Sequence, residues 1–245
     1  MSDAFTVSRD GDVTTIVTNK PDDGNRFSDA MAVEMAEMLD KESKSARLIV
    51  FRGAGKDFCT GRAAPPGQAA GPRPQDEAYN FRTGFEAVFN CYDSFRRCRA
   101  PILGVVQGKA LGFGCSLASL CDITIAADSA TFALPETSHG IMPTAAMSAL
   151  IDRVQRKQLT YIAYLAEELP AQQAMMAGIV STVVPAAQLD ATALHLIERM
   201  KKIPKPAVHA VKEFVMNGMG IPTQSMYAFA QNLHATVNSY SGMRK

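Results

Sequence analysis

Short apolar segments alternate with longer amphipathic ones along the first half of the chain. Residues 13–18 (VTTIVT) and 48–52 (LIVFR) are apolar and rich in β-branched side chains, which predicts two strands. Between them, Ser28 precedes apolar positions at helical spacing and predicts a helix that Ser28 caps. Residues 77–98 predict one long helix, and ILGVVQG after Pro101 predicts the next strand.

The second half of the chain begins with a helix between two strands and then becomes helical. A helix is predicted over residues 113–120, followed by extended segments in DITIAA and SATFALPE. From residue 145 onward we expect one or two helices, then one from Pro170 to Gly178, and two more over 189–201 and 206–217. Buried strands that alternate with helices predict an α/β fold with crossover connections.

Composition excludes several classes of function. The 245 residues are 47% hydrophobic and carry a formal net charge of +1, so we expect no nucleic-acid or anionic-membrane partner. Five cysteines without a C-x-x-C pair indicate a reduced, cytoplasmic protein. The first residues hold acids and no apolar stretch, so we expect no signal peptide there. No segment approaches the ~18 apolar residues of a membrane helix, so we expect no membrane span.

Several well-known motifs are absent. GAGK at 53–56 lacks the spacing of a phosphate-binding loop, and no G-x-S-x-G nucleophile turn occurs. The four histidines never fall at i, i+4, so we expect no metal site. Residues 61–74 hold four prolines and three glycines, which predicts a loop that acts as a linker or covers a binding site.

The segment GFGCS at 112–116 offers a more specific signal. Gly112 and Gly114 flank a phenylalanine at the start of an apolar helix. The first N–H groups of a helix have no internal partner and favour an anion, or a carbonyl oxygen that becomes one. Glycines there also permit close packing of the helix on a strand, so the pattern alone leaves both interpretations open.

Four segments together resemble a known family over nearly the whole chain. They are NKPDDGNRFSDAMAVEMAEML, VFRGAGKDFCTGRA, ILGVVQGKALGFGCSLASLCDITIAADSATFALPETSHGIMP and LAEELPAQQAMMAGIVSTVVPAAQL. Their order and spacing are similar to the enoyl-CoA hydratase/isomerase (crotonase) superfamily. The resemblance implies a spiral of ββα units over residues 1–190, which holds an acyl-CoA site. It also implies a helical trimerisation region over residues 191–245 and a homotrimer or homohexamer.

The same resemblance implies an oxyanion hole. In the family, two backbone N–H groups hold the thioester carbonyl of an acyl-CoA, and the matching positions here are Arg62 and Phe113. Gly61, Gly112 and Gly114 are the neighbouring positions expected to contact the ligand. No permanently bound cofactor is implied, because coenzyme A enters as part of the substrate.

The implied catalytic pair departs from the family pattern. The hydratases use two glutamates around one water; Glu136 matches the second, whereas Ser116 stands in place of the first. Ser116 could hold water or simply bond the carbonyl four residues back. Tyr79 is a candidate for an additional tyrosine, and His139 is interpreted as a structural or rim residue.

The lost glutamate leaves several activities open. One acid/base group suffices for a double-bond shift, whereas hydration normally needs two. A serine with a glutamate also resembles the hydroxycinnamoyl-CoA hydratase-lyases, and hydrolysis of the thioester is a close variant. A catalytically silent acyl-CoA-binding protein is the alternative of another class, since PTAAM at 143–147 replaces the family's glycine-rich P-G-x-G-G.

Overall fold

Six strands form the larger sheet of the computed structural model, which describes residues 3–63 and 84–243. The spatial order is β1-β2-β3-β4-β6-β9; β1 and β2 pair antiparallel, and every other neighbouring pair is parallel. Parallel strands need helical crossovers that cover the sheet, which explains why β4 is buried throughout. The strands are β1 (Phe5–Asp10), β2 (Val13–Thr18), β3 (Leu48–Gly53), β4 (Ile102–Val106), β6 (Ile123–Ala127) and β9 (Thr182–Val184).

A smaller sheet forms a second layer and positions the site. Its strands are β5 (Lys109–Leu111), β7 (Thr131–Ala133) and β8 (Leu169–Pro170). The chain leaves β4 in the large sheet, enters β5 in the small one, and then forms a helix. The chain then passes from the large sheet to the small one a second time, from β6 to β7. The expected spiral of ββα units is confirmed.

Helices cover the sheets and extend beyond them at the C-terminal side. They are α1 (Asp29–Glu42), α2 (Glu86–Arg97), α3 (Phe113–Leu120), α4 (Thr144–Leu150), α5 (Arg156–Leu165), α6 (Ala171–Ala177), α7 (Leu189–Lys201), α8 (Lys205–Gly218) and α9 (Thr223–Asn238). All eight residues of α3 are buried, whereas α9 has no buried residue. Among the described residues, no helix is long and apolar enough to cross a membrane.

Several local predictions are confirmed. Ser28 caps α1 by accepting a hydrogen bond from the Met31 N–H at 3.2 Å, and α3 has the bounds that were predicted. The strands over 13–18 and 48–52 form, the second one residue longer. The helix after Pro170 ends at Gly178, which takes a left-handed φ of 95°.

Other predictions need correction. Within the described part of the expected helix over 77–98, residues 84–85 form a turn and α2 begins only at Glu86. Gly84 is a poor helix former, and Cys98 leaves the helix with ψ 121°. The segment after residue 145 forms two helices, separated at residues 151–155. Strand β1 was not predicted, helix α9 lies in the expected helical region 191–245 but had no predicted bounds, and the division at residue 190 stays a prediction.

Helix α8 is joined to the core by a buried ion pair. Lys212 Nζ lies 2.8 Å from Asp122 Oδ2 and donates to the Phe95 and Ala100 carbonyls at 3.0 and 3.4 Å. The same Asp122 oxygen accepts the Ile102 N–H at 2.7 Å. The side chain of Lys212 is 3% exposed, so it cannot reach a ligand in solution.

Candidate active site

A cavity of about 570 Å³ opens between the first turn of α3, helix α2 and the segment around residues 135–146. Its wall is mainly apolar, and few of its side chains titrate. The residues that line it are Thr60, Gly61, Arg62, Phe85, Val88, Phe89, Tyr92, Leu111, Gly112, Phe113, Pro135, Glu136, His139, Ile141, Met142, Pro143, Thr144, Ala145 and Ala146. The cavity therefore brings Arg62, Phe113 and Glu136 together, although they are far apart in sequence.

Arg62 and Phe113, whose backbone N–H groups are predicted to form an oxyanion hole, both line this cavity. Arg62 forms an isolated parallel bridge with Phe27, in which Phe27 N–H donates to Gly61 O at 3.0 Å and Ala63 N–H donates to Phe27 O at 2.8 Å. That bridge leaves the N–H of Arg62 free of Phe27. Phe113 is the first residue of α3, so its N–H has no partner inside the helix. Neither N–H donates to another residue in the described ranges.

The three glycines differ in what surrounds them. Gly112 has φ +51°, and a Cβ built there would lie 3.0 Å from Glu136 Oε1. Gly61 has φ +124° and free space beside it, with Leu111 O 3.7 Å from the position of a Cβ. Gly114 does not line the cavity, and a Cβ there would meet Cys59 O at 2.0 Å. Gly112 and Gly61 thus face the cavity, whereas Gly114 permits close packing of helix and loop.

Glu136 stands on a short 3₁₀ turn, Pro135–His139, that follows β7. Its Oε2 is buried and has no hydrogen-bond partner among the described residues. Burial raises the pKa of this carboxyl, opposed by a backbone hydrogen bond and by the nearby charge of His139. A carboxyl with a raised pKa and an unpaired oxygen can accept a proton and return it.

Glu136→Gln is expected to be more stable than the wild type at alkaline pH. The pKa of Glu136 is higher in the folded protein than in the unfolded chain. The free energy of unfolding of the wild type therefore falls as pH rises above about 4.3, the ordinary pKa of glutamate. Glutamine carries no such cost. Melting temperatures of both proteins should agree near pH 4 and diverge as pH increases; a difference that does not change with pH would contradict this.

Ser116 lies below the cavity rather than in its wall. The side chain is fully buried, and its hydroxyl donates to the Gly112 carbonyl, four residues back, at 3.1 Å. This is the local bond that the sequence left open as an alternative. It steadies the turn that carries the Phe113 N–H, and a direct part for Ser116 in catalysis stays a prediction.

Tyr92 is a cavity residue that sequence reasoning missed. Its ring stacks on that of Phe113 with centroids 5.3 Å apart. Burial raises the pKa of Tyr92, although the nearby hydroxyl of Ser116 partly opposes the rise. Because the pKa is raised, the phenol stays neutral. Val88 and Tyr92 are four residues apart, and this helical spacing was the signal that both share one face.

The Arg62 side chain turns from the oxyanion position towards two helices. Its guanidinium pairs with Asp29 in the first turn of α1 and lies 5.0 Å from the centroid of the Phe85 ring. Both contacts anchor a residue that lines the cavity. The bulk of an arginine is therefore compatible with the site.

Three further sequence expectations can be placed. His139 is exposed at the rim of the cavity, whereas Tyr79 lies outside the described residues, as does the loop from residue 64 onward. All five cysteines are free and buried. Within residues 3–63 and 84–243, no cluster of three His, Cys, Asp or Glu side chains could hold a metal ion.

Known proteins are similar to this sequence over nearly its whole length. A family model described as enoyl-CoA hydratase/isomerase matches residues 8–245. The chain is 29% identical over 230 residues to the 2,3-dehydroadipyl-CoA hydratase of Escherichia coli K12, covering 93% of the chain and 87% of that relative. It is 25% identical over 236 residues to the carnitinyl-CoA dehydratase of Escherichia coli O157:H7, covering 95% and 87%.

The fold matches solved structures of the same kind. An enoyl-CoA hydratase from Mycobacterium smegmatis superposes with a TM-score of 0.88 at 26% identity, covering 97% of this chain and 91% of that one. The family model spans nearly all of the sequence, and the crotonase resemblance is confirmed. The chain belongs to the enoyl-CoA hydratase/isomerase family of acyl-CoA-processing enzymes.

Proposed function

We propose that the protein isomerises a 3-enoyl-CoA to the conjugated 2-enoyl-CoA. The observation that carries this is the single carboxyl, Glu136, among the described residues that line the cavity. The position of the family's other glutamate is held by Ser116, whose hydroxyl is engaged by the Gly112 carbonyl. One group that removes and returns the same proton is sufficient for a double-bond shift.

The proposed reaction uses two backbone donors and one base. The N–H groups of Arg62 and Phe113 would bind the thioester oxygen, where negative charge develops. Glu136 takes a proton from the carbon next to the thioester, which gives a dienolate. It then delivers that proton to the far end of the former double bond. The double bond moves by one position, and no atom is gained or lost.

Hydration is the second candidate, favoured by His139. This imidazole lines the cavity and is near enough to lower the pKa of Glu136 by its charge. It could serve as a second proton-transfer group beside a bound water. His139→Gln should then abolish hydration of a 2-enoyl-CoA, yet leave isomerisation of a 3-enoyl-CoA almost unchanged.

Turnover of three thioesters tests the proposal. Purified protein is given a 3-enoyl-CoA, crotonyl-CoA and feruloyl-CoA, and products are separated by chromatography. Isomerisation of the first at the highest kcat/KM supports the proposal. Preferred hydration of crotonyl-CoA, cleavage of feruloyl-CoA, or hydrolysis to free CoA would each replace it with another activity. Binding without turnover would indicate the silent acyl-CoA-binding protein.

We propose the acyl-CoA thioester as the ligand, with CoA brought by the substrate, and the cytoplasm as the location. A homotrimer is supported by Val211 and Val215, which lie one turn apart on α8 and are 67% and 52% exposed, and by Met219 directly after the helix, which is 67% exposed. Such a stripe on one helix face is typical of a protein interface.

Light scattering after size-exclusion chromatography tests the assembly. We expect a mass about three or six times the 26.4 kDa of one chain. Val211→Asp combined with Val215→Asp should give monomers, because two carboxylates would be buried without partners. Val33→Asp, at an exposed apolar position on α1, is the matched control and should leave the mass unchanged. A monomeric wild type would overturn this part of the proposal.

A further inference from the structure

Phe27 touches both halves of the candidate oxyanion hole. Its backbone N–H and C=O bond the residues on either side of Arg62, at 3.0 Å to Gly61 and 2.8 Å from Ala63. Its ring lies against the ring of Phe113, with centroids 5.1 Å apart and planes inclined by 40°. A single residue therefore contacts the carriers of both N–H groups, through its main chain on one side and its side chain on the other.

The Phe27 ring has little freedom to move. It is fully buried, and Phe5 packs on it edge-to-face with centroids 5.6 Å apart. Tyr92 stacks on Phe113 at 5.3 Å, so the Phe113 ring has one aromatic neighbour on α2 and another on the segment that precedes α1. Protein interiors are packed as densely as organic crystals, so a displacement of one ring is passed to the next.

We propose that Phe27 is a positioning residue that sets the separation of the Arg62 and Phe113 N–H groups. The inference rests on the proposed function, since it concerns the width of that same oxyanion hole. Phe27 does not line the cavity. It acts through the bridge on one side and the ring contact on the other.

The chemistry of the hole makes this separation matter. Donors stabilise a developing oxyanion when they lie about 2.7–3.1 Å from it, and a displacement of about 1 Å can cost a hundredfold in rate. Phe27→Leu keeps both backbone hydrogen bonds, so Arg62 stays in place. It removes the ring face against which Phe113 packs, and the second donor can then drift.

Binding of two matched ligands reports on the hole without any turnover. Butyryl-CoA carries the thioester carbonyl, whereas S-butyl-CoA has a CH₂ group in place of that C=O group and is otherwise the same. Calorimetric Kd values for the wild type should favour butyryl-CoA by about tenfold, the worth of one to two net hydrogen bonds. Phe27→Leu should bring the two Kd values close to equality and raise KM for the thioester substrate by up to about tenfold, because the same ground-state contact is lost. It should also lower kcat by about tenfold to a hundredfold.

Phe51→Leu is the matched control, because Phe51 is equally buried in β3 and contacts Phe58 and Phe95 instead of the site. It should lose stability but keep the wild-type preference. Should Phe27→Leu fold poorly, Phe27→Met has nearly the same volume as leucine but a longer, unbranched side chain that can reach the Phe113 ring, so it should show a smaller loss of preference. The inference alone is overturned if Phe27→Leu prefers butyryl-CoA as strongly as the wild type does. It is also overturned if Phe51→Leu loses as much of that preference as Phe27→Leu. A wild type without any preference overturns the oxyanion hole and the inference together.

Discussion

Glu136→Gln is expected to lower kcat on a 3-enoyl-CoA by at least about a thousandfold, within the range for loss of a general acid/base. The glutamine has the shape of the glutamate but cannot accept and return a proton. The substrate is held by backbone N–H groups and an apolar wall, so KM should change by less than about threefold. Stopped-flow absorbance of the conjugated product measures both constants.

Two further variants make that result specific. Glu167→Gln changes an exposed glutamate on the segment before β8 and should retain wild-type rates. Glu136→Asp keeps the carboxyl but withdraws it by one CH₂, so its kcat should fall between those of the wild type and Glu136→Gln. A rate for Glu136→Gln within tenfold of the wild type would place the base elsewhere and remove the site assignment.

Lys212→Met is expected to reduce the free energy of unfolding by about 3–5 kcal/mol, the largest stability loss that we anticipate. Methionine fills the space of the stem, but Asp122, whose side chain is only 15% exposed, then remains as a carboxylate without its cation. The Phe95 and Ala100 carbonyls lose a donor as well. Urea unfolding followed by circular dichroism measures the difference.

The control for this loss is Lys157→Met on α5, where the lysine is exposed and the expected change is below about 0.5 kcal/mol. Adding Asp122→Asn to Lys212→Met should recover part of the loss, because the amide can still accept the Ile102 N–H without a buried charge. No recovery in the double variant would show that the stabilisation comes from packing of the lysine stem rather than from charge.

Features that depend on a few adjacent residues were predictable from the sequence. The cap at Ser28 and the start of α3 at Phe113 each follow from a short run of side chains. Glu136 entered through the family resemblance; the structure places its Oε1 beside Gly112, and its catalytic role stays a prediction. In contrast, Phe27 and Arg62 are 35 positions apart, and no local pattern indicates that they form a bridge.

Elements with weak burial escaped prediction for a different reason. Strand β1 is an edge strand in which only Phe5 is buried, so alternation of apolar and polar residues gave no signal. Helix α9 buries no residue, and its contacts include the stacking of Phe229 on Phe214 of α8. Strands β5, β8 and β9 span two or three residues, too short for any periodicity to be detected.

The contact between Gly114 and the Cys59 carbonyl limits how this enzyme can be engineered. Helix α3 and the loop that carries Arg62 are in backbone contact there, so a side chain at position 114 would push this helix and this loop apart. Residues 141–146 form another part of the wall, and Ile141 and Met142 there are more than half exposed. Variant libraries for new acyl chains should therefore randomise residues 141–146 and keep Gly114 unchanged.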